Sequence, residues 1–141
     1  MTARPETSIH GTVFRQFKNK PKEAIVHLMK VKEGEAIAAL YRSDIGYIDI
    51  TWGENDKKNV GYGLKHIIEK HGSDILKTGF NIEDFIPIIV QFCIFSESRS
   101  TGTKKVFENK MGRFVVDSKF NRKSKNWLLT AFSFRIKKTR E

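Results

Sequence analysis

The chain is predicted to fold as one α+β domain, with N-terminal helices and a β-hairpin packed with a C-terminal antiparallel β-meander. Three observations predict this. Apolar residues recur at helical spacing in Ala24–Met29 and again in Leu64–His71. β-forming residues flank a turn at Ser43-Asp44-Ile45-Gly46. The last third reads as three strand-like runs separated by turn residues. The length of 141 residues suits one domain with one core. Within it, 1–20 reads as an arm, 21–98 as helices and hairpin, and 99–141 as a basic sheet.

Residues 1–20 are polar and are expected to form an irregular or clasping arm. Pro21 opens the first helix, where its missing N–H costs nothing, and Gly34 is expected to stop it. Strands are predicted over Ala36–Arg42 and Tyr47–Trp52, followed by a polar loop from Gly53 to Asn59. Gly61 and Gly63 frame the entry to a second helix, Leu64–His71, which Gly72 should end. Asn81 reads as the N-cap of a further helical stretch, in which Pro87 implies a kink or a fresh start. The meander strands are predicted at Lys104–Asn109, Arg113–Lys119 and Asn126–Ile136, with a turn at Met111-Gly112 and a basic loop at Asn121–Lys125. In the last strand, alternation sends Trp127, Leu129 and Ala131 one way. Leu128, Thr130, Phe132 and Phe134 go the other. A strand apolar on both faces belongs in the middle of its sheet.

The longest apolar run, Phe85–Phe95, is interrupted by Gln91 and is about half of what a membrane-spanning helix needs. No secretory signal is visible at the N-terminus, so a cytoplasmic site of action is expected, with no membrane partner. The single cysteine, Cys93, lies in that apolar run and is expected to pack as a small hydrophobe. The net charge of +10 is unevenly placed. Residues 1–98 carry thirteen basic and thirteen acidic residues. Residues 99–141 carry thirteen basic residues against Glu108, Asp117 and Glu141 alone. These basic residues lie among Phe107, Phe114, Phe120, Trp127, Phe132 and Phe134, so the charge sits on folded structure. That pattern favours nucleic acid or phosphate as partner, with an anionic membrane surface or an acidic protein as the alternatives.

The second helix carries the chemistry. Leu64, Ile67, Ile68 and His71 fall on one face, which carries His71 toward whatever the stripe packs on. Those apolar neighbours should disfavour its charged form. His66 lies roughly opposite, on a solvated face, with Lys70 one turn on. Five residues separate the two histidines by about 140° around an α-helix, which does not suit a shared metal ion. No metal and no cofactor are expected. A histidine moves protons near neutral pH, and beside a cationic sheet that is the equipment for cleaving RNA.

Several segments together resemble the phage and polymorphic-toxin nucleases of the barnase–EndoU–colicin E5/D–RelE-like group. They are Glu33-Gly34-Glu35 with Ala39-Leu40-Tyr41, Asp44–Gly53, Gly61–His71 and Asn126–Phe132. The resemblance runs from about residue 20 to residue 135. It implies a metal-independent endoribonuclease fold, with the site between helices and sheet. Such an enzyme cleaves by 2′-OH attack and leaves a 2′,3′-cyclic phosphate. Carried over, the helix histidines are His66 and His71, and the strand hydroxyl is Thr130. Phosphate would be held by Arg113 and Lys119, with Lys70 and Asn126 as further contacts. The resemblance also implies a carboxylate after the Ala-aromatic pair, where this chain has Ser133. RNA is the implied substrate and an acidic immunity protein the implied partner. A catalytically silent nucleic-acid-binding module and a basic interaction domain are the alternative readings.

Overall fold

A computed structural model describes residues 5–120 and 122–134. The N-terminal arm is a pair of short strands, β1 (Thr7–Ser8) and β2 (Gly11–Phe14). Helix α1 (Pro21–Val31) follows, then β3 (Glu35–Arg42) and β4 (Gly46–Thr51). The small strands β5 (Glu54–Asn55) and β6 (Gly61–Tyr62) precede α2 (Gly63–His66), a π-helical turn (Ile67–His71) and α3 (Gly72–Lys77). Helix α4 (Ile82–Phe92) leads into four strands: β7 (Ile94–Thr101), β8 (Lys104–Glu108), β9 (Gly112–Phe120) and β10 (Lys123–Ser133). Eight strands form one sheet in the order β1-β2-β3-β4-β10-β9-β8-β7, and β5 and β6 pair with each other.

The mixed α+β class stands, with corrections to the elements. The arm is stranded where an irregular segment was expected, and its β2 pairs in parallel with β3. Helix α1 ends at Lys32, which takes the left-handed cap conformation at φ 55°, two residues before the expected Gly34. The polar loop after β4 contains β5. Gly72 does not stop the second helix. It stays right-handed at φ −59°, and burial of Ile75 offsets the roughly 1 kcal/mol that glycine costs in a helix. Pro87 lies inside α4, which is neither split nor restarted there. Asn81 is the N-cap residue, but its side chain makes no capping bond. β7 was not predicted, and β10 starts at Lys123, inside the expected basic loop. The predicted end of that strand, Arg135 and Ile136, lies outside the described residues.

The core forms where α4 and α1 cover the sheet. Phe85, Ile86 and Ile89 of α4, Ile25 and Leu28 of α1, and Phe107, Phe114 and Leu128 of the sheet are fully buried. Each is worth about 1.5–3 kcal/mol against exposure. Arg42 of β3 closes the end of α4: its Nη1 donates to the carbonyls of Val90 (2.6 Å) and Cys93 (2.7 Å). Cys93 is buried, as expected for a small hydrophobe.

β10 is central, but its alternation breaks. Register slips occur between Ser124 and Trp127 and between Leu128 and Thr130, and a bulge resets which residues share a face. Leu128 and Ala131 therefore both lie in the core, where strict alternation had put them on opposite faces. On its other edge β10 meets β4 in parallel at one register pair, Trp127 with Asp49. Side chains secure this seam. Lys125 Nζ donates to Glu35 Oε1 (2.6 Å) and Asp49 Oδ2 (2.5 Å), and Asn126 Nδ2 donates to the Ile45 carbonyl (3.1 Å). Burial pushes the Glu35 carboxyl up, but the bonds from Lys125 and Ser8 outweigh it and hold it below the ordinary glutamate value. Burial likewise works against the Lys125 ammonium, and its two carboxylate partners still raise its pKa. Lys125→Met leaves both carboxylates without their counter-charge. It should lower stability by about 3 kcal/mol, read as a fall in the urea midpoint at unchanged m-value.

Candidate active site at the histidine turn

Glycine geometry brings the second helix onto β4. Gly53 (φ 78°) and Gly63 (φ 80°) cross so closely that a Cβ on Gly53 would lie 2.0 Å from the Tyr62 carbonyl oxygen. A Cβ on Gly63 would lie 2.9 Å from Gly53 Cα. Lys65 N then donates to the Trp52 carbonyl (2.8 Å), which docks the first turn of the helix. Leu64 and Ile67 are fully buried, as their stripe requires.

The π turn corrects the placement of the two histidines. In an α-helix, positions five apart diverge, but a π turn closes i to i+5. His66 and His71 accordingly face each other, with ring centroids 5.5 Å apart in an edge-to-face arrangement. His66 is not on a solvated face; it is 6% exposed. Its Nδ1 lies 2.8 Å from Asn55 Oδ1. Asn55 uses its amide nitrogen on Asn59 Oδ1 (3.2 Å) and Glu69 Oε1 (3.1 Å), so the oxygen must face His66. His66 Nδ1 therefore carries the proton in the neutral ring and Nε2 keeps a lone pair. Burial, helped by Lys70, lowers the His66 pKa.

His71 stacks on Phe132 of β10, centroids 4.9 Å apart and planes 29° apart. Burial first, then His66 and Lys70, lowers its pKa to about 4. At neutral pH it is an uncharged acceptor. Arg113 lies over the same Phe132, with its guanidinium carbon 5.6 Å from the ring centroid. Thr130 is two residues from Phe132, about 7 Å along the strand, and its Oγ1 is buried with no protein partner. His66, His71, Phe132 and Arg113 are thus linked in one assembly, with Lys70 exposed beside it and Thr130 on the adjoining stretch of strand.

Arg113 joins the assembly already paired: Nε (3.0 Å) and Nη2 (2.7 Å) bond Glu108, which leaves Nη1 outside that pair. The remaining expected contacts, Lys119 and Asn126, do not join it. Lys119 is six residues further along β9, about 20 Å away, exposed and opposite Ser124. Asn126 is occupied at the β4 seam. Ser133 is buried and alternates to the face away from Phe132, so a longer carboxylate there would start out pointing away from His71. Asn55 and Phe132 escaped the sequence reading as site residues. Asn55 sits in what looked like a plain polar loop, and Phe132 reads as core. Among the described residues, no three His, Cys, Asp or Glu side chains converge as metal ligands, and no helix is long and apolar enough to cross a membrane.

The two histidines thus meet over β10, an inner strand of a sheet backed by helices. The family model for phage-Barnase-EndoU-ColicinE5/D-RelE like nuclease 1 matches residues 39–138, and the chain belongs to that family of nucleases. No curated protein and no solved structure matches the chain.

The low pKa of His71 has a consequence for stability. Its unfolded value is 6.5 and its folded value about 4, so in that window the unfolded chain holds the extra proton. Stability is full above the upper value and declines as pH falls toward the lower one. Allowing for partial solvent screening, the loss is about 1–2 kcal/mol. His71→Phe, which keeps the stack and removes the titration, should show a correspondingly flatter fall between pH 7 and pH 4.5 in urea unfolding.

Proposed function

We propose that this nuclease is a metal-independent endoribonuclease that cuts by attack of the ribose 2′-oxygen on the adjacent phosphorus. The observation that carries this reading is the His66–His71 pair, brought together edge to face by the π turn, with His71 uncharged at neutral pH. His71 takes the proton of the 2′-OH. The 2′-oxygen bonds to phosphorus and the P–O5′ bond breaks. His66 gains a proton when phosphate lies alongside, because a nearby anion favours the imidazolium, and passes it to the departing 5′-oxygen. The products are a 2′,3′-cyclic phosphate and a free 5′-hydroxyl. Lys70, Arg113 Nη1 and the Thr130 hydroxyl are the donors for the charge that builds on the phosphorane.

The basic last third supplies capture. Its field draws an RNA strand toward the sheet with salt-sensitive affinity. An acidic immunity or antitoxin protein would compete for the same surface, as expected for a toxin or phage-borne effector acting in cytoplasm. Ser133 favours a second reading, a silent binding module, since the family resemblance implies a carboxylate at that place.

The purified chain should cut total RNA and tRNA in EDTA and leave an all-deoxy strand intact. His71→Ala should slow cleavage by about 10²–10⁴-fold while the chain still melts in one cooperative transition, at a temperature lowered by the loss of the Phe132 stack. Asn55→Ala frees the His66 ring to flip or change tautomer and should cost about tenfold in kcat with little change in KM. An unchanged rate in His71→Ala removes the assignment of that residue, arrest by EDTA removes the metal-free mechanism, and binding without any product supports the silent module.

A further inference from the structure

A cleft of about 620 Å³ opens between the arm and the β9–β10 hairpin, lined by Ser8, His10, Glu35, Asp49, Phe120 and residues 123–125. It lies at the opposite end of β10 from the histidine turn. Lys125 and Phe132 are seven residues apart, about 23 Å along a strand. Ser8, His10 and Glu35 precede the residues the family model matches, and Asp49, Phe120 and residues 123–125 lie within them.

Its floor comes from three neighbouring strands: Glu35 from β3, Asp49 from β4 and Lys125 from β10. The arm forms its wall. Ser8 Oγ donates to Glu35 Oε2 (2.7 Å), and the His10 backbone N–H donates to Ser8 Oγ (3.1 Å). The His10 ring packs on Phe120 with centroids 4.5 Å apart. Its side chain is 4% exposed, and its Nε2 is buried without a hydrogen bond, 3.8 Å from Glu35 Oε2.

Counting donors and acceptors shows what is missing. Both oxygens of Glu35 are engaged, by Lys125 and Ser8. Both oxygens of Asp49 are engaged, by the Ala38 N–H and Lys125. The donors are in surplus. Lys125 keeps a third N–H, Lys123 and Ser124 line the mouth, and His10 Nε2, which has no partner, becomes a further donor once the ring is protonated. A site whose acceptors are engaged and whose donors are left over calls for an acceptor-rich ligand. An ammonium already fills the space between the two carboxylates, which leaves no place there for a metal cation.

We propose that this cleft is a second phosphate-binding site, holding a phosphate group through Lys123, Ser124, Lys125 and the His10 imidazole. The shared chemistry is a phosphate oxyanion, either free or in an RNA strand, and the RNA case rests on the ribonuclease reading above. Burial is the largest influence on His10 and holds its pKa below the ordinary histidine value; of the charged groups facing it, Glu35, Asp49 and Glu54 favour its protonation and Lys125 opposes it. A bound phosphate adds a negative charge to this balance, so it should draw a proton onto His10.

The test is titration of the full chain with inorganic phosphate, following the ring signals of His10 and His71 by NMR. Phosphate should move the His10 signal and raise its titration midpoint. Lys123→Ala, a change at an exposed position, should weaken that response about tenfold. An uncuttable RNA hexamer carrying 2′-O-methyl groups tells the sources apart. Displacement of phosphate from His10 by the hexamer places the RNA strand in the cleft, and no displacement assigns the cleft to free phosphate. A His10 signal that neither probe moves overturns the proposal, as does an undiminished response in Lys123→Ala, whatever cleavage assays return for His71. A shifted His10 in a chain that cuts no RNA keeps the phosphate site and removes the ribonuclease reading.

Discussion

The ammonium of Lys125, held between Glu35 and Asp49, joins what would otherwise be two half-sheets. On one side lie the arm, β3 and β4; on the other lie β10 to β7. Backbone pairing across the seam is limited to Trp127 with Asp49, so the ion triad and the Asn126 bond carry a junction that a full ladder would normally carry. Asp49 also accepts from the Ala38 N–H at 2.6 Å, and Ala38 sits at φ 56° in the β3 bulge. A left-handed alanine is strained, and this bond offsets part of that cost. Glu35 in turn anchors the arm through Ser8. The lowered Glu35 pKa and the raised Lys125 pKa mean that this ion pair stays charged across the neutral range. It weakens only in acid, as Glu35 protonates, or in strong base, as Lys125 loses its proton.

From that seam, β10 positions both ends of the functional surface. Its first residues carry Lys123 and Lys125 under the arm. Its later residues carry Thr130 and Phe132 to the histidine turn. The bulges in between let the strand bury Leu128 and Ala131 while still presenting Phe132 to His71. The aromatic chain His10–Phe120–Trp127–Tyr62, with neighbouring centroids 4.5–5.5 Å apart, packs the stretch between the two sites.

Charge on this surface is less free than its sum implies. Glu108 binds both Arg99 and Arg113, and two of the three Lys125 N–H groups are taken by Glu35 and Asp49. Lys119 and Lys123 are exposed at the hairpin end of β9 and β10.

Much of the fold was legible in the sequence because it depends on local periodicity. The stripe Leu64, Ile67 and the turn at Gly46 sit where spacing put them, and the double apolar face of β10 marked it as central. The charge asymmetry, too, needed only counting. Tertiary structure alone decided the site. Whether positions 66 and 71 meet depends on one π turn, which no spacing rule reveals, since the same residues in an α-helix diverge. The Asn55 bond that orients His66 joins segments eleven residues apart, and the Lys125–Glu35 bond spans ninety. His10 and Glu35 are ordinary polar residues in the chain. They become a cleft only when β2 pairs beside β3, because a buried charge declares itself through the partners that surround it and not through its neighbours in sequence.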